Sequence, residues 1–226
     1  MKHYQLSYIT LCLVLLCSAC ATQQKPIEPA QADLTNLNPM AWEKIKSYDM
    51  PNDRSALIAV EENIRHANPA QKQAMGEMLI GVLQDRQATH AANDFAMRMM
   101  ARIPSEKFIP VLEHYLYQED YSHMARFALQ SIQSPQADAV LRDALIDTEG
   151  EILIGVISSV AQRNDEKAIP LLAKIANQPD EPTAEAAIHA LGRIQSKLAL
   201  KALLDLHLMN HELDKARINA IMRQTR

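Results

Sequence analysis

Cysteine is nearly absent from this 226-residue chain, and all three copies, Cys12, Cys17 and Cys20, fall within the first 20 residues. Everything beyond them therefore lacks a disulfide framework, a Cys-x-x-Cys redox pair, a Cys-x-x-Cys-His haem attachment and a thiolate metal site. Glycine is scarce too, at five residues, and no β-branched run alternates with polar residues over the length of a strand. Together these leave little room for a sheet. Neither a Gly-rich phosphate loop nor a Gly-x-Ser-x-Gly elbow occurs, so the usual signatures of phosphoryl and acyl transfer are missing. The expectation is a protein that is not an enzyme and needs no cofactor. Positive charge is also in deficit. The formal net charge is −4, and removal of residues 1–19 leaves 22 Lys and Arg against 27 Asp and Glu, a net of −5. Such a field repels phosphate polymers, so nucleic acid is not an expected partner.

What is present begins with an address. Lys2 and His3 precede a mainly apolar run at residues 6–16, too short to span a bilayer comfortably and of signal-peptide form. Cys17-Ser18-Ala19-Cys20 follows. It resembles a bacterial lipobox, with Cys17 standing where that pattern prefers Leu. The resemblance implies cleavage after residue 19 and lipidation of Cys20 as the first mature residue. Several acyl chains give firm anchoring, at about 0.8 kcal/mol per buried CH2. Ala21, at the next position, is not the Asp that retains some lipoproteins in the inner membrane, so the implied destination is the outer membrane. Ala19-Cys20-Ala21 also offers an ordinary small-x-small cleavage site, which keeps plain secretion open. Residues 20–38 then read as a tether. Pro26 and Pro29 favour an extended chain, reaching on the order of 50 Å at roughly 3 Å per residue.

The folded part is expected over residues 39–226, and its organising feature is a repeat. Met100, Leu129, Val160, Leu191 and Ile221 occupy equivalent places in similar helical segments, at steps of 29, 31, 31 and 30 residues. Leu112, Leu141, Leu172 and Leu203 form a second ladder with steps of 29, 31 and 31. Two ladders of one period mean a stacked two-helix unit, hence an all-α solenoid. One helix series is expected at residues 90–101, 122–132, 151–163, 183–194 and 214–224, the other at 106–117, 136–147, 166–177 and 197–209. Ser105, Ser122, Ser134-Pro135, Asp165, Thr183 and Ser196 supply the helix-start chemistry. Residues 39–83 lack the signature, as terminal repeats often do. There Asp53 and Asn68 read as cap signals, and Trp42 as a lid on the first pair.

Two segments, Ala125-Arg126-Phe127-Ala128-Leu129 with Ile132, and residues 186–194, resemble the inner helix of HEAT-like repeats of the phycobilisome-lyase type. Phe108-Ile109-Pro110-Val111-Leu112 and Ala168-Ile169-Pro170-Leu171-Leu172 resemble the accompanying outer helix. The run over residues 122–172 is similar to secreted or lipid-anchored bacterial HEAT-repeat proteins. The resemblance, over roughly residues 88–224, implies a HEAT/armadillo-like superhelix whose inner helices line a concave side. It implies no lyase activity, because no residue here carries one. Small residues at Ala128, Ser159 and Ala190 let neighbouring helices approach, and Arg126 is expected to pair with an acid of a neighbouring repeat.

Candidate sites follow from the register. Counting each inner anchor as zero, positions −6, −2 and +2 share a face away from the seam. They read Asp94/Arg98/Arg102, His123/Phe127/Ser131, Ile154/Ser158/Gln162, Glu185/His189/Arg193 and Lys215/Asn219/Arg223. Phe127 and Ile154 are apolar among polar neighbours, the composition of a protein-binding patch. The bland alternative folds Phe127 back onto its own neighbours. The partner-binding candidates are Arg98, His123, Phe127, Ile154, Ser158, Glu185, His189 and Arg193. His207 and His211, at i and i+4, are weak metal candidates if their helix continues. Met75, Met78, Met97, Met99 and Met100 suit either Cu(I) or irregular core packing. The resulting expectation is a membrane-anchored scaffold or adaptor for an unidentified protein. A metal or cofactor chaperone and an accessory subunit of a secreted enzyme system are the alternatives.

Overall fold

A computed structural model describes residues 39–208 and 210–225. The signal-peptide, Cys20 lipidation and tether readings lie outside the described residues. Within them are twelve α-helices and no strand. Three helices come first: α1 (Pro39–Lys46), α2 (Ser55–His66) and α3 (Pro69–Gln84). Two interleaved series follow. One is α4 (His90–Arg102), α6 (Glu119–Ser131), α8 (Gly150–Gln162), α10 (Glu181–Arg193) and α12 (His211–Gln224). The other is α5 (Ile109–Leu116), α7 (Pro135–Asp147), α9 (Ile169–Ala176) and α11 (Lys197–Asp205). Single 3-10 turns, Glu106–Phe108 and Glu166–Ala168, lead into α5 and α9. The architecture is an all-α solenoid.

Neighbour-on-neighbour packing is the reason it holds. α4 packs on α6, α6 on α8, α8 on α10 and α10 on α12, while α6, α8, α10 and α12 each also meet a helix of the other series and α4 meets α3. Met100, Leu129, Val160 and Leu191 are buried to within 1 % of their surface, and Leu112, Leu141, Leu172 and Leu203 are fully buried. Each such side chain contributes about 1.5–3 kcal/mol relative to exposure. Ala128, Ser159 and Ala190 are buried one residue before their anchors. Ile221 is only half-buried, since among the described residues no further repeat covers α12. Met75, Met97, Met99 and Met100 are all buried among apolar side chains, and Met78 packs partly buried against them. Trp42 is buried too, on α1, which packs against α2 and α4.

Helix starts explain where expectation and structure part. Asn68 caps α3 with a reciprocal Gln71 bond, Ser134 caps α7 and Ser196 caps α11. Ser105 and Asp165 cap the two 3-10 turns rather than α-helices. Ser122 and Thr183 do not start helices. α6 begins three residues before Ser122, with Glu119 and Asp120 favourably placed in its first turn. α10 begins two residues before Thr183, because the Asp180 side chain accepts the Thr183 N–H. α11 stops at Asp205 and Asn210 caps α12 by accepting from the N–H groups of Glu212 and Leu213. The helix expected to run to residue 209 is thus broken, and the last helix starts three residues earlier than expected.

Polar side chains repeat the same period. Gln130 Nε2 donates to Ser159 Oγ at 2.7 Å, Gln195 N to Asn164 Oδ1 at 2.9 Å and Arg193 to Gln162 at 2.9 Å, at separations of 29, 31 and 31 residues. Arg163 reaches back to the carbonyls of Leu129, Gln130 and Ile132 at 3.1, 3.0 and 2.8 Å and pairs with Asp138 at 2.5 Å. It adds a donor to carbonyls at the C-terminus of α6, where the regular helical ladder has ended. Gln224 does the same for α10, donating to the carbonyls of Leu191 (2.8 Å) and Ile194.

Candidate functional site

The face away from the seam is built by the register alone. A side chain two residues before an anchor lies about 200° around the helix from it, so burying the anchors turns this face outward. None of the fifteen positions falls in the core. Phe127 keeps 47 % of its surface exposed, so it does not fold back into the interior. His123, Ser158, Glu185, Arg193 and Arg98 are exposed, and Ile154 and His189 half-buried.

The structure gathers part of the set. A cleft of about 260 Å3 opens between α8, α10 and α12, with Ile154, Ser158, His189, Arg193 and Arg223 among its lining residues. Its remaining walls come from Ile157, Ala161, Ala186 and Ala190, so an apolar floor carries a polar, basic rim. Glu185 joins the cleft through His189, whose Nε2 lies 3.5 Å from its carboxylate. Nδ1 of His189 is buried without a hydrogen-bond partner. Arg98, His123 and Phe127 lie on α4 and α6, outside this cleft. Arg223 belongs to it although it was not singled out as a binding residue; its place at +2 of the last row was the signal.

Arg126 corrects an expectation. No carboxylate pairs with it among the described residues. Its Nε donates to Ser122 Oγ at 3.4 Å, and its guanidinium lies across Gly155 of α8, where any Cβ would overlap it. Burial without a counter-charge lowers its pKa. Gly155 is therefore small because an arginine covers it, a link that composition does not announce.

The histidine pair is also corrected. His207 lies in the loop after α11 and His211 is the first residue of α12, so they do not share a helical face. No group of three or more potential metal ligands occurs among the described residues. A larger cleft of about 600 Å3 near the ends of α3 and α5 contains the ring of Tyr121 beside that of Tyr115, 5.0 Å apart and edge-to-face. Tyr115 donates to the Leu83 carbonyl at 2.6 Å, and burial raises its pKa, followed by the influence of Tyr121. None of the candidate residues lies there.

A family of HEAT repeats matches residues 139–222 of this chain. Among solved structures, a designed armadillo repeat protein in complex with the peptide (KR)4 is similar at 20 % identity and a TM-score of 0.47, covering 84 % of this chain and 99 % of its own. Computationally designed armadillo repeat proteins for modular peptide recognition are similar at 20 % identity and a TM-score of 0.43, covering 82 % and 98 %. Human deoxyhypusine hydroxylase in complex with glycerol is similar at 14 % identity and a TM-score of 0.41, covering 82 % and 89 %. No curated protein matches the sequence. Residues 139–222 of this all-α solenoid are thus similar to HEAT repeats; the phycobilisome-lyase type is not what these matches specify.

Proposed function

We propose that this chain is a non-catalytic scaffold, anchored to the outer membrane through a lipidated Cys20, that binds a protein partner on the outward row of α4, α6, α8, α10 and α12. The observation that carries the reading is Phe127. A large aromatic side chain stands 47 % exposed in a row otherwise rich in Arg, His and Ser. Aromatics ringed by polar residues carry a disproportionate share of binding energy. The rest of the row supplies the rim.

The experiment compares tagged full-length wild type, Phe127→Ala and Cys20→Ser recovered from membranes and crosslinked in place. Phe127→Ala is expected to lose the specific crosslinked partner, a weakening of about 2 kcal/mol or more, with its urea midpoint nearly unchanged. Cys20→Ser is expected to leave the membrane fraction without detergent. A partner retained by Phe127→Ala would reject the binding row. Wild-type protein that is soluble without detergent would reject the anchor.

A further inference from the structure

The row has a charge of its own, opposite to that of the chain. Five of its fifteen residues are Arg or Lys (Arg98, Arg102, Arg193, Lys215, Arg223) and two are acidic (Asp94, Glu185), in a chain of formal net charge −4. The basic residues sit at its two ends, on α4 and on α10 with α12. The apolar pair Phe127 and Ile154 sits between them, on α6 and α8. Few of these cations are neutralised internally. Arg193 donates to a neutral amide, Gln162. Arg98 and Arg223 form no ion pair among the described residues. Lys215 lies 3.7 Å from Glu212 in an exposed pair that contributes little, and Arg102 lies 3.9 Å from a half-buried Glu61.

Arg126 supplies the second, independent observation. It is the residue before Phe127, half-buried against Gly155, which is itself the residue after Ile154. A guanidinium carries five N–H donors in a fixed fork suited to carboxylate. Here one donor finds a serine hydroxyl at 3.4 Å, and no carboxylate pairs with it among the described residues. Holding a cation half out of water without a counter-ion is unfavourable, and an incoming anion relieves it.

We propose that the partner segment is an extended, acidic stretch of polypeptide with an apolar residue at its centre. The apolar residue packs on Phe127 and Ile154. A carboxylate beside it meets Arg126, and another enters the cleft between Arg193 and Arg223. Helices packed about 8–10 Å apart place α4 and α12 roughly 32–40 Å apart along the row. At about 3.3 Å per residue that is a segment of ten to twelve residues. This rests on the scaffold reading above and adds the chemistry of the partner to it.

The test uses full-length protein in detergent and labelled twelve-residue peptides, read by fluorescence anisotropy at low and high salt. The probes are a peptide with central Leu flanked by Glu, the same peptide with Lys for Glu, and the same acidic peptide with central Ser. The acidic Leu peptide is expected to bind at least tenfold tighter than either of the others, and more weakly as salt rises. Arg126→Gln, and Arg193→Gln with Arg223→Gln, are each expected to weaken it fivefold or more with unchanged melting. Equal or tighter binding of the Lys peptide, or acidic binding unaffected by both sets of Gln substitutions, would overturn the proposal. So would tighter binding of a peptide of residues 22–38, or of anionic vesicles independent of Phe127. Loss of the crosslinked partner in Phe127→Ala together with charge-blind peptides would sink the acidic segment alone. Retention of that partner sinks the binding row itself.

Discussion

The first three helices and the last seven are held together differently. In the N-terminal part the links to later elements are mostly apolar: Trp42, Met75, Met97, Met99 and Met100 fill the core between unequal helices. Its polar links are mixed: Lys107 to Glu77 at 2.7 Å and Tyr115 to the Leu83 carbonyl at 2.6 Å span 30 and 32 residues, whereas the Thr89 hydroxyl and N–H on the carbonyls of Tyr48 and Lys46 are off the period. From α6 to α12 the helices of one series are of nearly equal length, 13 residues in α6, α8 and α10 and 14 in α12. There Arg163, Gln195 and Gln224 bond one repeat back, Gln195 through its N–H to the Asn164 side chain, and Arg142 pairs with Asp165 at 2.5 Å. A regular period puts equivalent loops side by side, so a side chain of fixed length can always reach its neighbour's unsatisfied carbonyls. The irregular start shows such recurrence only where α3 meets Lys107 and Tyr115, and adaptable Met fills much of the rest.

Three substitutions sharpen this contrast. The largest effect is expected in the regular half from Leu191→Ala, with about 2–5 kcal/mol lost, because Leu191 is fully buried with a helix on either side of α10. Lys201→Ala, on an exposed position of α11, is expected to change stability by less than about 0.5 kcal/mol. Urea melts of both decide it, and equal small losses would show the seam to be misplaced. Next comes Arg163→Met. Breaking a fully buried ion pair costs about 3–5 kcal/mol, and the 30 % exposure of the Asp138 side chain brings the expectation to about 2–3. It also removes a donor from three carbonyls at the end of α6, of which Leu129 and Ile132 keep a backbone N–H. Hydrogen exchange should accelerate at that end of α6 before it does in α4. A loss no larger than that of Lys201→Ala would mean that polar stitching adds nothing to the regular half.

The sequence made the apolar seam legible because burial recurs at a fixed step, and Leu129, Leu141, Leu172 and Leu191 can be counted. The outward row came with it, since a helix that buries one face must show another. Helix ends were less legible. Ser122 and Thr183 have the chemistry of caps but lie inside helices, buried, because Gln118 and Asp180 precede them at better-placed turns. The links that join repeats were hidden for a different reason. Position +3 after each anchor reads Ile103, Ile132, Arg163, Ile194 and Gln224. An Arg among isoleucines looks like a solvated exception until its five donors are seen to meet a helix end. Arg126 was misjudged because pairing with an acid is the common fate of such a residue, and only packing shows a glycine beneath it instead.

The smallest effects separate two glycines that look alike in the sequence, and they probe how the regular half closes. Gly192 on α10 faces Ala220 on α12, and a Cβ there would stand 2.6 Å from the Ala220 Cβ and 2.8 Å from its Cα. Those atoms belong to a backbone that cannot turn aside, so Gly192→Ala must push α12 outward. Overpacking of this kind costs about 1–3 kcal/mol. Gly155 on α8 meets only the end of the Arg126 side chain, which can swing toward solvent. A helical Gly replaced by Ala gains roughly 0.8–1 kcal/mol of propensity, which offsets the lost packing of the guanidinium stem. Gly155→Ala is therefore expected to melt within about 0.5 kcal/mol of wild type, while Gly192→Ala melts earlier and frays α12 first by hydrogen exchange. If Gly155→Ala proved the more damaging of the two, Arg126 would be a fixed structural clamp between α6 and α8. It would then not be a mobile cation free to receive a partner's carboxylate.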